Sequence, residues 1–212
     1  MRHMVERSLE AQRREIIEKH LVRAARSVVA ERGLATRMED VATAAGVSRR
    51  TVFRYFRTRD KILIAALESG MRSFRDHLPH RTAESEPSRW LEDTLVAIHR
   101  MNAQHGRLYW EIALGNDLPR SLAATRAKRR LGRLRLVRWF TSEAWKAFGG
   151  KGQPPTWLND ECAVQLSAFA TQSLVIDFRR TPEQSGRLAA RVLRTLIADA
   201  LHARNDAARA RR

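Results

Sequence analysis

The segment GVSRRTVFRYF, residues 46–56, has the pattern of a tight turn followed by a short helix. Gly46 suits the turn because its backbone adopts conformations that a Cβ atom opposes. Ser48 is a strong N-cap, because its hydroxyl can accept a hydrogen bond from a backbone N–H in the first turn of a helix. Just upstream, the small Ala42 leaves room for a second helix to cross closely. Together these residues predict a helix-turn-helix, the unit that places its second helix in the major groove of DNA.

The predicted second helix has two chemically different faces. Val52, Tyr55 and Phe56 follow the i, i+3, i+4 spacing, which places them on one inward face. The outward positions are Arg49, Arg50, Phe53 and Arg54. Guanidinium groups on an exposed helix face suit contacts with guanine edges and phosphates, so this face predicts DNA binding. The alternative is a solvated helical hairpin that is basic without contacting DNA.

Helical patterns flank this segment on both sides. An apolar stripe predicts a first helix over about 11–32, which Gly33 ends. Thr36 and Glu39 fit a capping box for a second helix that begins near residue 37. Beyond the segment, a cap at residue 58 predicts a fourth helix over about 59–77.

The order and spacing of these landmarks resemble the N-terminal domain of TetR-family transcriptional regulators, over about residues 16–67. The resemblance implies an all-α fold of about nine helices, in which a three-helix helix-turn-helix domain precedes a larger helical domain for ligand binding and dimerisation. We place the helix-turn-helix domain at 8–57, a connecting helix at 58–79 and the larger domain at 80–205. Residues 206–212 are rich in Ala and Arg, and we expect them to form a disordered tail.

The resemblance also assigns DNA contacts to positions of this sequence. The predicted DNA-binding residues are Thr36, Arg37, Ser48, Arg49, Arg50, Thr51, Phe53, Arg54, Tyr55 and Arg59. Three positions depart from the family pattern, since Arg37 replaces a threonine, Phe53 replaces a tyrosine and Arg59 replaces a lysine. The tyrosine hydroxyl that bonds a phosphate is therefore missing. Arg37 could itself reach a phosphate, and Phe53 could pack against a thymine methyl group.

The composition is that of a globular protein, and its charge suits a polyanionic partner without specifying one. The 212 residues include 40 Lys and Arg against 23 Asp and Glu, for a net charge of +17. This excess is spread over the whole chain, so charge alone does not locate a DNA site. The single cysteine, Cys162, excludes an internal disulfide and is expected to be an inert core residue. Without an apolar membrane span or a signal peptide, the chain is expected to be cytoplasmic.

Beyond the fourth helix, the pattern predicts five more helices, at about 88–104, 107–114, 121–148, 157–179 and 182–203. The last two carry more apolar surface than one core needs, and such a surplus usually lies against another copy of the chain. The family resemblance implies a homodimer through a four-helix bundle of these helices. The alternative is that both helices wrap the core of a single chain.

The sequence lacks recognisable motifs for catalysis or metal binding. The seven histidines form no i, i+4 pair, and the glycine-rich segment 149–152 lacks the Ser or Thr of a phosphate-binding loop. We therefore expect no enzyme, no metal and no cofactor.

The run from Arg120 to Arg138 contains eight basic residues and no acidic one. The simplest interpretation is an amphipathic helix with Leu131 and Leu134 on its apolar stripe and a solvated basic face. The alternatives are an anionic ligand such as an acyl-CoA, an acidic partner surface, or a second DNA contact, which the family geometry disfavours because it turns this domain away from the duplex.

The resemblance places a small-molecule pocket among the helices of the larger domain, and such pockets are mostly apolar. The candidate effector-binding residues are Trp90, Met101, Trp110, Glu111, Trp139 and Trp145, with Asn116 as a second polar anchor. The alternative is that the Trp and Met residues are ordinary core.

These inferences predict a DNA-binding transcriptional regulator, of the repressor type, that binds a palindromic operator as a homodimer. A small apolar or anionic effector would release it. The two recognition helices must lie about 34–36 Å apart to enter successive major grooves. An effector wedged into the larger domain would displace the fourth helix and change this spacing. The alternative function is an effector-independent architectural protein that binds DNA without sequence preference.

Overall fold

The structure is a computed structural model that describes residues 2–115 and 118–210. Within these ranges the chain forms nine α-helices and a short 3-10 helix at Gly33–Ala35, with no β-strand. The helices are α1 (Arg2–Arg32), α2 (Met38–Ala44), α3 (Arg49–Tyr55), α4 (Arg59–Asp76), α5 (Pro87–Leu114), α6 (Arg120–Ala147), α7 (Thr156–Gln165), α8 (Ala168–Ile176) and α9 (Pro182–Arg209). The all-α class predicted from the sequence is therefore confirmed.

The chain divides into two compact units, and the first contains residues 2–73 and 107–126. Its core includes Leu21 of α1 and Val52 of α3. The end of α5 and the start of α6 contribute to the same core through Leu108, Ile112 and Leu122. The helix-turn-helix therefore packs on parts of later helices as well as on α1 and α4.

The second unit contains residues 74–106 and 127–210. Its core is built around the stacked rings of Trp90 and Phe140, whose centroids are 6.0 Å apart. Cys162 lies in the same core, and burial raises the pKa of its thiol to about 11. The thiol therefore stays protonated at neutral pH, as expected for an inert core cysteine.

Helix α5 is continuous where the sequence predicted two helices, at 88–104 and 107–114. Gly106 lies inside the helix, and a Cβ atom at this position would come within 3.1 Å of the Ala168 Cβ. The missing side chain therefore permits close packing against α8 and does not mark the end of a helix.

The helix predicted at 157–179 is instead divided into α7 and α8. Ser167 lies between them, and its hydroxyl accepts a hydrogen bond from the Ala170 N–H at 3.0 Å. This cap starts a new helix in the middle of an apolar segment. The hydrophobic pattern continues across the break, so it did not reveal the change of direction.

Helix α9 extends to Arg209, so the disordered tail predicted for 206–212 is wrong over 206–209. Towards the end of this helix, Arg204 donates a hydrogen bond to Gln153 O at 3.1 Å and lies over the Trp145 ring. Arg204 lies just after the predicted helix end at 203, and these contacts stabilise the turn of α9 that contains it. Residues 211–212 lie outside the described ranges.

None of the helices in the described ranges is long and apolar enough to span a bilayer.

The packing of α9 on α5 predicts opposite effects for two helical glycines. A Cβ atom at Gly186 would lie 2.5 Å from Val96 Cα, whereas one at Gly132 on α6 would meet no atom within 4 Å. We expect Gly186→Ala to lower the free energy of unfolding by about 1–3 kcal/mol through overpacking against backbone. Gly132→Ala should raise it by up to about 1 kcal/mol, because alanine favours a helix. Urea denaturation followed by circular dichroism measures both, and equal stability of Gly186→Ala and wild type would contradict the packing.

Candidate nucleic-acid interface

The corner between α2 and α3 has the geometry that its sequence predicts. Gly46 has a φ of +65°, which residues with a side chain rarely adopt. Ser48 precedes α3 in an extended conformation, and its Oγ accepts a hydrogen bond from the Thr51 N–H at 3.2 Å. The cap satisfies one of the free N–H groups at the start of α3 and fixes where the helix begins.

Helix α3 turns one face to the core and the other to solvent. Val52 and Phe56 are 0% and 5% exposed, whereas Arg50, Phe53 and Arg54 are exposed. Arg50 forms no ion pair within the described ranges, so its guanidinium group is available to a partner. The predicted division of this helix into an apolar face and a basic face is confirmed.

Two other arginines are held by neighbours on the same surface. Arg49 Nε lies 2.8 Å from a carboxylate oxygen of Glu39, and its guanidinium group is 5.2 Å from the centre of the Phe53 ring. Arg54 lies 5.2 Å from the centre of the Tyr55 ring. A guanidinium group over an aromatic ring gains about 0.5–1 kcal/mol at an exposed site. Both side chains are therefore restrained without being buried.

The capping box predicted between Thr36 and Glu39 is wrong. Arg37 is the N-cap of α2, and the Asp40 carboxylate accepts a hydrogen bond from the Arg37 N–H at 2.9 Å. Thr36 is buried, and its hydroxyl donates to Gly33 O at 2.8 Å. The cap lies one residue later than predicted because the 3-10 turn before α2 uses the Thr36 hydroxyl.

Residues 33–37, which we call the connector, join α1 to α2. Arg59 binds this connector, since its Nε donates to Thr36 O at 2.9 Å and a terminal nitrogen donates to Leu34 O. Arg37 has an exposed side chain at the start of α2. Contacts of Thr36 and Arg59 with DNA remain predictions, and in this structure both side chains serve the connector.

The predicted effector-binding residues fall in both units. Those in the second unit are Trp90, Met101, Trp139 and Trp145, and those in the first are Trp110 and Glu111. Trp90 and Trp145 are buried, and their indole N–H groups bond backbone carbonyls. The Glu111 carboxylate is bonded to the connector. Asn116 lies outside the described residues, and the role of the others in effector binding stays a prediction.

Sequence reasoning missed two polar side chains of α5 that bind the break between α7 and α8. His99 Nε2 donates to Gln165 O at 3.0 Å, and Asn102 Nδ2 donates to Leu166 O at 3.3 Å. The Thr171 hydroxyl lies 3.1 Å from His99 Nδ1 and 3.2 Å from Asn102 Nδ2. Burial lowers the pKa of His99, and the bond to Gln165 O opposes this shift in part.

Thr94 is a third polar residue of α5 that the sequence analysis did not single out. It is 0% exposed, and its Oγ1 has no hydrogen-bond partner within the described ranges. A buried hydroxyl without a partner costs about 1–3 kcal/mol, so a water or a ligand usually satisfies such a group. In the sequence, Thr94 stands out as a polar residue on an apolar stripe, one helical turn from both Trp90 and Ile98.

The apolar stripe predicted on α6 is largely exposed. Leu131 and Leu134 are 55% and 45% exposed, whereas Val137 is buried. Arg130 and Arg135, beside the two leucines in sequence, are exposed as well. The solvated basic face predicted for this run is therefore seen at these positions, whereas its apolar stripe is buried at Val137 and exposed at the two leucines, so the middle of α6 presents apolar and basic side chains together.

In the described ranges, no group of three or more His, Cys, Asp and Glu side chains is arranged to hold a metal ion. Helix α3 has an N-cap and an exposed arginine face, and the described residues form only helices. These features are typical of a helix-turn-helix DNA-binding protein. Residues 21–66 match the family described as bacterial regulatory proteins, tetR family. The N-terminal segment therefore matches the TetR family, and the resemblance seen in the sequence over this segment is confirmed.

Solved structures share the fold over most of the chain. A transcriptional regulator from Rhodococcus sp. Rha1 has a TM-score of 0.63 at 21% identity, covering 86% of this chain and 96% of its own. A TetR-family regulator from Streptomyces coelicolor has a TM-score of 0.66 at 15% identity, covering 88% and 82%. FadR from Bacillus subtilis, solved with stearoyl-CoA, has a TM-score of 0.59 at 17% identity, covering 84% and 97%. No curated protein sequence matches the chain.

The burial of His99 predicts a loss of stability in acid. Its pKa in the folded state lies below the ordinary value of 6.5, so below that pH the unfolded chain binds a proton that the folded chain does not. The free energy of unfolding should therefore fall as pH drops from 6.5 towards the lower folded pKa, by at most about 1.4 kcal/mol per pH unit. Denaturation at several pH values should show a smaller fall for His99→Gln. Identical pH profiles would contradict this account, and His202→Gln, which replaces an exposed histidine, controls for the loss of an imidazole.

Proposed function

We propose that the protein is a cytoplasmic transcriptional repressor that binds a palindromic operator as a homodimer and leaves it when a small effector binds. The observation that carries the proposal is the exposed arginine face of α3, which the Ser48 cap and the buried Val52 hold in place. The match to the TetR family supports DNA binding.

The arginines of α3 suit different contacts with a duplex. Arg50 is exposed and forms no ion pair in the described ranges, which favours a bidentate contact with a guanine edge. Arg49 must first exchange its bond with Glu39, which favours a phosphate as the replacement anion. The exposed Ser48 hydroxyl lies 3.0 Å from the Thr51 hydroxyl, and either group could donate to the DNA backbone.

The proposed homodimer uses the part of the chain with the most exposed apolar side chains. Those at least 45% exposed between residues 157 and 188 are Trp157, Val164, Phe169, Ile176, Phe178 and Leu188. Removing apolar surface from water gains roughly 25 cal/mol per Å². A second copy would cover this surface in a symmetric bundle of the last two predicted helices, which correspond to α7, α8 and α9.

An open groove of about 540 Å³ lies on the same surface. Val164 and Phe169 line it, together with Arg133 of α6. Burial lowers the pKa of Arg133, which donates to Ala163 O and forms no ion pair in the described ranges. A half-buried cation without an anion favours one from a partner. We therefore place a carboxylate of the second copy in this groove.

The proposed effector is a small apolar or anionic molecule. FadR of Bacillus subtilis has the same fold and was solved with stearoyl-CoA, a ligand of this kind. In this chain, the hydroxyl of Thr94 supplies an unpartnered polar group inside the second unit. The effector must have a higher affinity for the conformation that is incompatible with the operator than for the compatible one. A shift of the two populations from 1:99 to 99:1 requires an affinity ratio of about 10⁴.

A second candidate function is nonspecific DNA association without an effector. The exposed basic residues of α6, such as Arg130 and Arg135, favour it because they add cations away from α3. Nonspecific binding weakens steeply with salt and shows no site preference. Competition between an operator and random duplex at moderate salt therefore separates the two functions.

Arg50→Ala tests the recognition helix directly. If Arg50 binds guanine through two hydrogen bonds, its loss should cost about 1–3 kcal/mol on the best duplex and relax the preference at one base pair. The duplex is first selected from a random library with wild-type protein, and affinities are then measured by fluorescence anisotropy on it and on its single-base-pair variants.

Arg138→Ala is the matched control, because it removes one exposed arginine from α6 and leaves α3 intact. We expect this variant to keep the base preference. A uniform loss over all duplexes in Arg50→Ala would indicate a phosphate contact. Unchanged binding would show that α3 is not the recognition helix.

Phe169→Glu tests the dimer surface. The new carboxylate would lie in the groove that Arg133 also lines, where it would repel the carboxylate proposed for the second copy and remove an apolar contact, so we expect self-association to weaken by about 10- to 100-fold. Leu114→Glu is the control, since Leu114 is an exposed leucine, at 58%, that lies in the first unit. Sedimentation equilibrium measures both. Dimers of equal strength in Phe169→Glu and wild type would place the interface elsewhere.

A further inference from the structure

The backbone of the connector is bound by side chains that lie far away in the sequence. Arg59, at the start of α4, donates to the carbonyl oxygens of Leu34 and Thr36. Glu111, near the end of α5, accepts a hydrogen bond from the Leu34 N–H at 2.6 Å. Both backbone polar groups of Leu34 are therefore held by side chains from other helices of the first unit.

Glu111 is itself held in place. Its second carboxylate oxygen lies 2.9 Å from Arg107 Nε, and Arg107 also donates to Glu31 O at the end of α1. The Glu111 side chain is 19% exposed, so water competes little for the carboxylate. Gly33 leaves the space that this carboxylate occupies, because a Cβ atom there would overlap it.

Apolar packing fixes the distance between Glu111 and the recognition helix. Leu108 and Ile112, on the same helix as Glu111, are buried in the core that also buries Val52 of α3. The carboxylate thus reaches the connector from a segment that cannot shift without disturbing this core. The last residue of the connector, Arg37, is the N-cap of α2.

We propose that Glu111 is a positioning residue for DNA binding, whose carboxylate fixes the Leu34 peptide and thereby the start of α2 and the presentation of α3. The inference rests on the proposed function and deepens it. It gives Glu111 a role other than the effector contact predicted from the sequence. Without the carboxylate, the connector has an unpaired N–H and samples other conformations. The observed affinity for DNA then falls with the fraction of protein that keeps the binding conformation.

Two substitutions weaken the contact between Glu111 and the Leu34 N–H to different degrees. Glu111→Gln keeps an oxygen that can accept from the Leu34 N–H but loses the charge, and Glu111→Ala loses both. We expect affinity for the selected duplex to fall by about threefold and about tenfold, as it would if the competent fraction fell to about a third and a tenth. Asp93→Asn is the matched control, because Asp93 pairs with Arg89 at 3.3 Å on the same helix but lies in the second unit. It should bind like wild type.

Hydrogen exchange at the Leu34 amide separates positioning from general stability. We expect this amide to exchange faster in both Glu111 variants, while core amides such as that of Val52 keep their protection. A purely stabilising role would instead raise exchange across the whole unit. If Glu111→Ala fails to fold, Glu111→Gln carries the test.

Two results would overturn the inference while leaving the proposed function intact. One is a wild-type protein that binds its duplex and a Glu111→Ala variant that binds equally well with unchanged Leu34 exchange. The other is an equal loss of affinity in Asp93→Asn. Failure of wild-type protein to select any duplex would instead remove the proposed function, and the inference with it.

Discussion

The burial of Val52 is the interaction on which the functional surface depends. Helix α3 has seven residues, and a helix of that length is unstable alone in water. Its orientation therefore comes from the core, where Val52 and Phe56 belong to one cluster with residues of α1, α4, α5 and α6. Because this face is buried, the opposite face, which carries Arg50, is exposed to solvent.

Four arginines of the first unit carry the same charge but have different contacts. Arg50 forms no internal ion pair in the described ranges, and Arg49 is bonded to Glu39. Arg59 and Arg107 donate to backbone carbonyls. The net charge of +17 therefore does not show which cations phosphates can use. DNA affinity depends on which guanidinium groups lack internal partners, and only tertiary contacts decide that.

Helix α5 has a different task in each unit. In the second unit it contributes apolar residues such as Leu95 to the core, and its polar residues His99 and Asn102 bond the carbonyls freed at the break between α7 and α8. In the first unit its end supplies Glu111 to the connector. The polar residues of α5 therefore act through the hydrogen bonds that they form in each unit, and their common helix does not give them a common role.

The sequence by itself determined the all-α class, the turn at Gly46 and the two faces of α3, because these depend on residues within one or two helical turns of each other. It did not show that α5 runs through Gly106, that a helix begins after Ser167, or that Glu111 reaches a connector 77 residues away. The tertiary structure decided these points. Close packing and hydrogen bonds between distant residues leave no periodic signal in a single chain, whereas caps, turns and helix faces do.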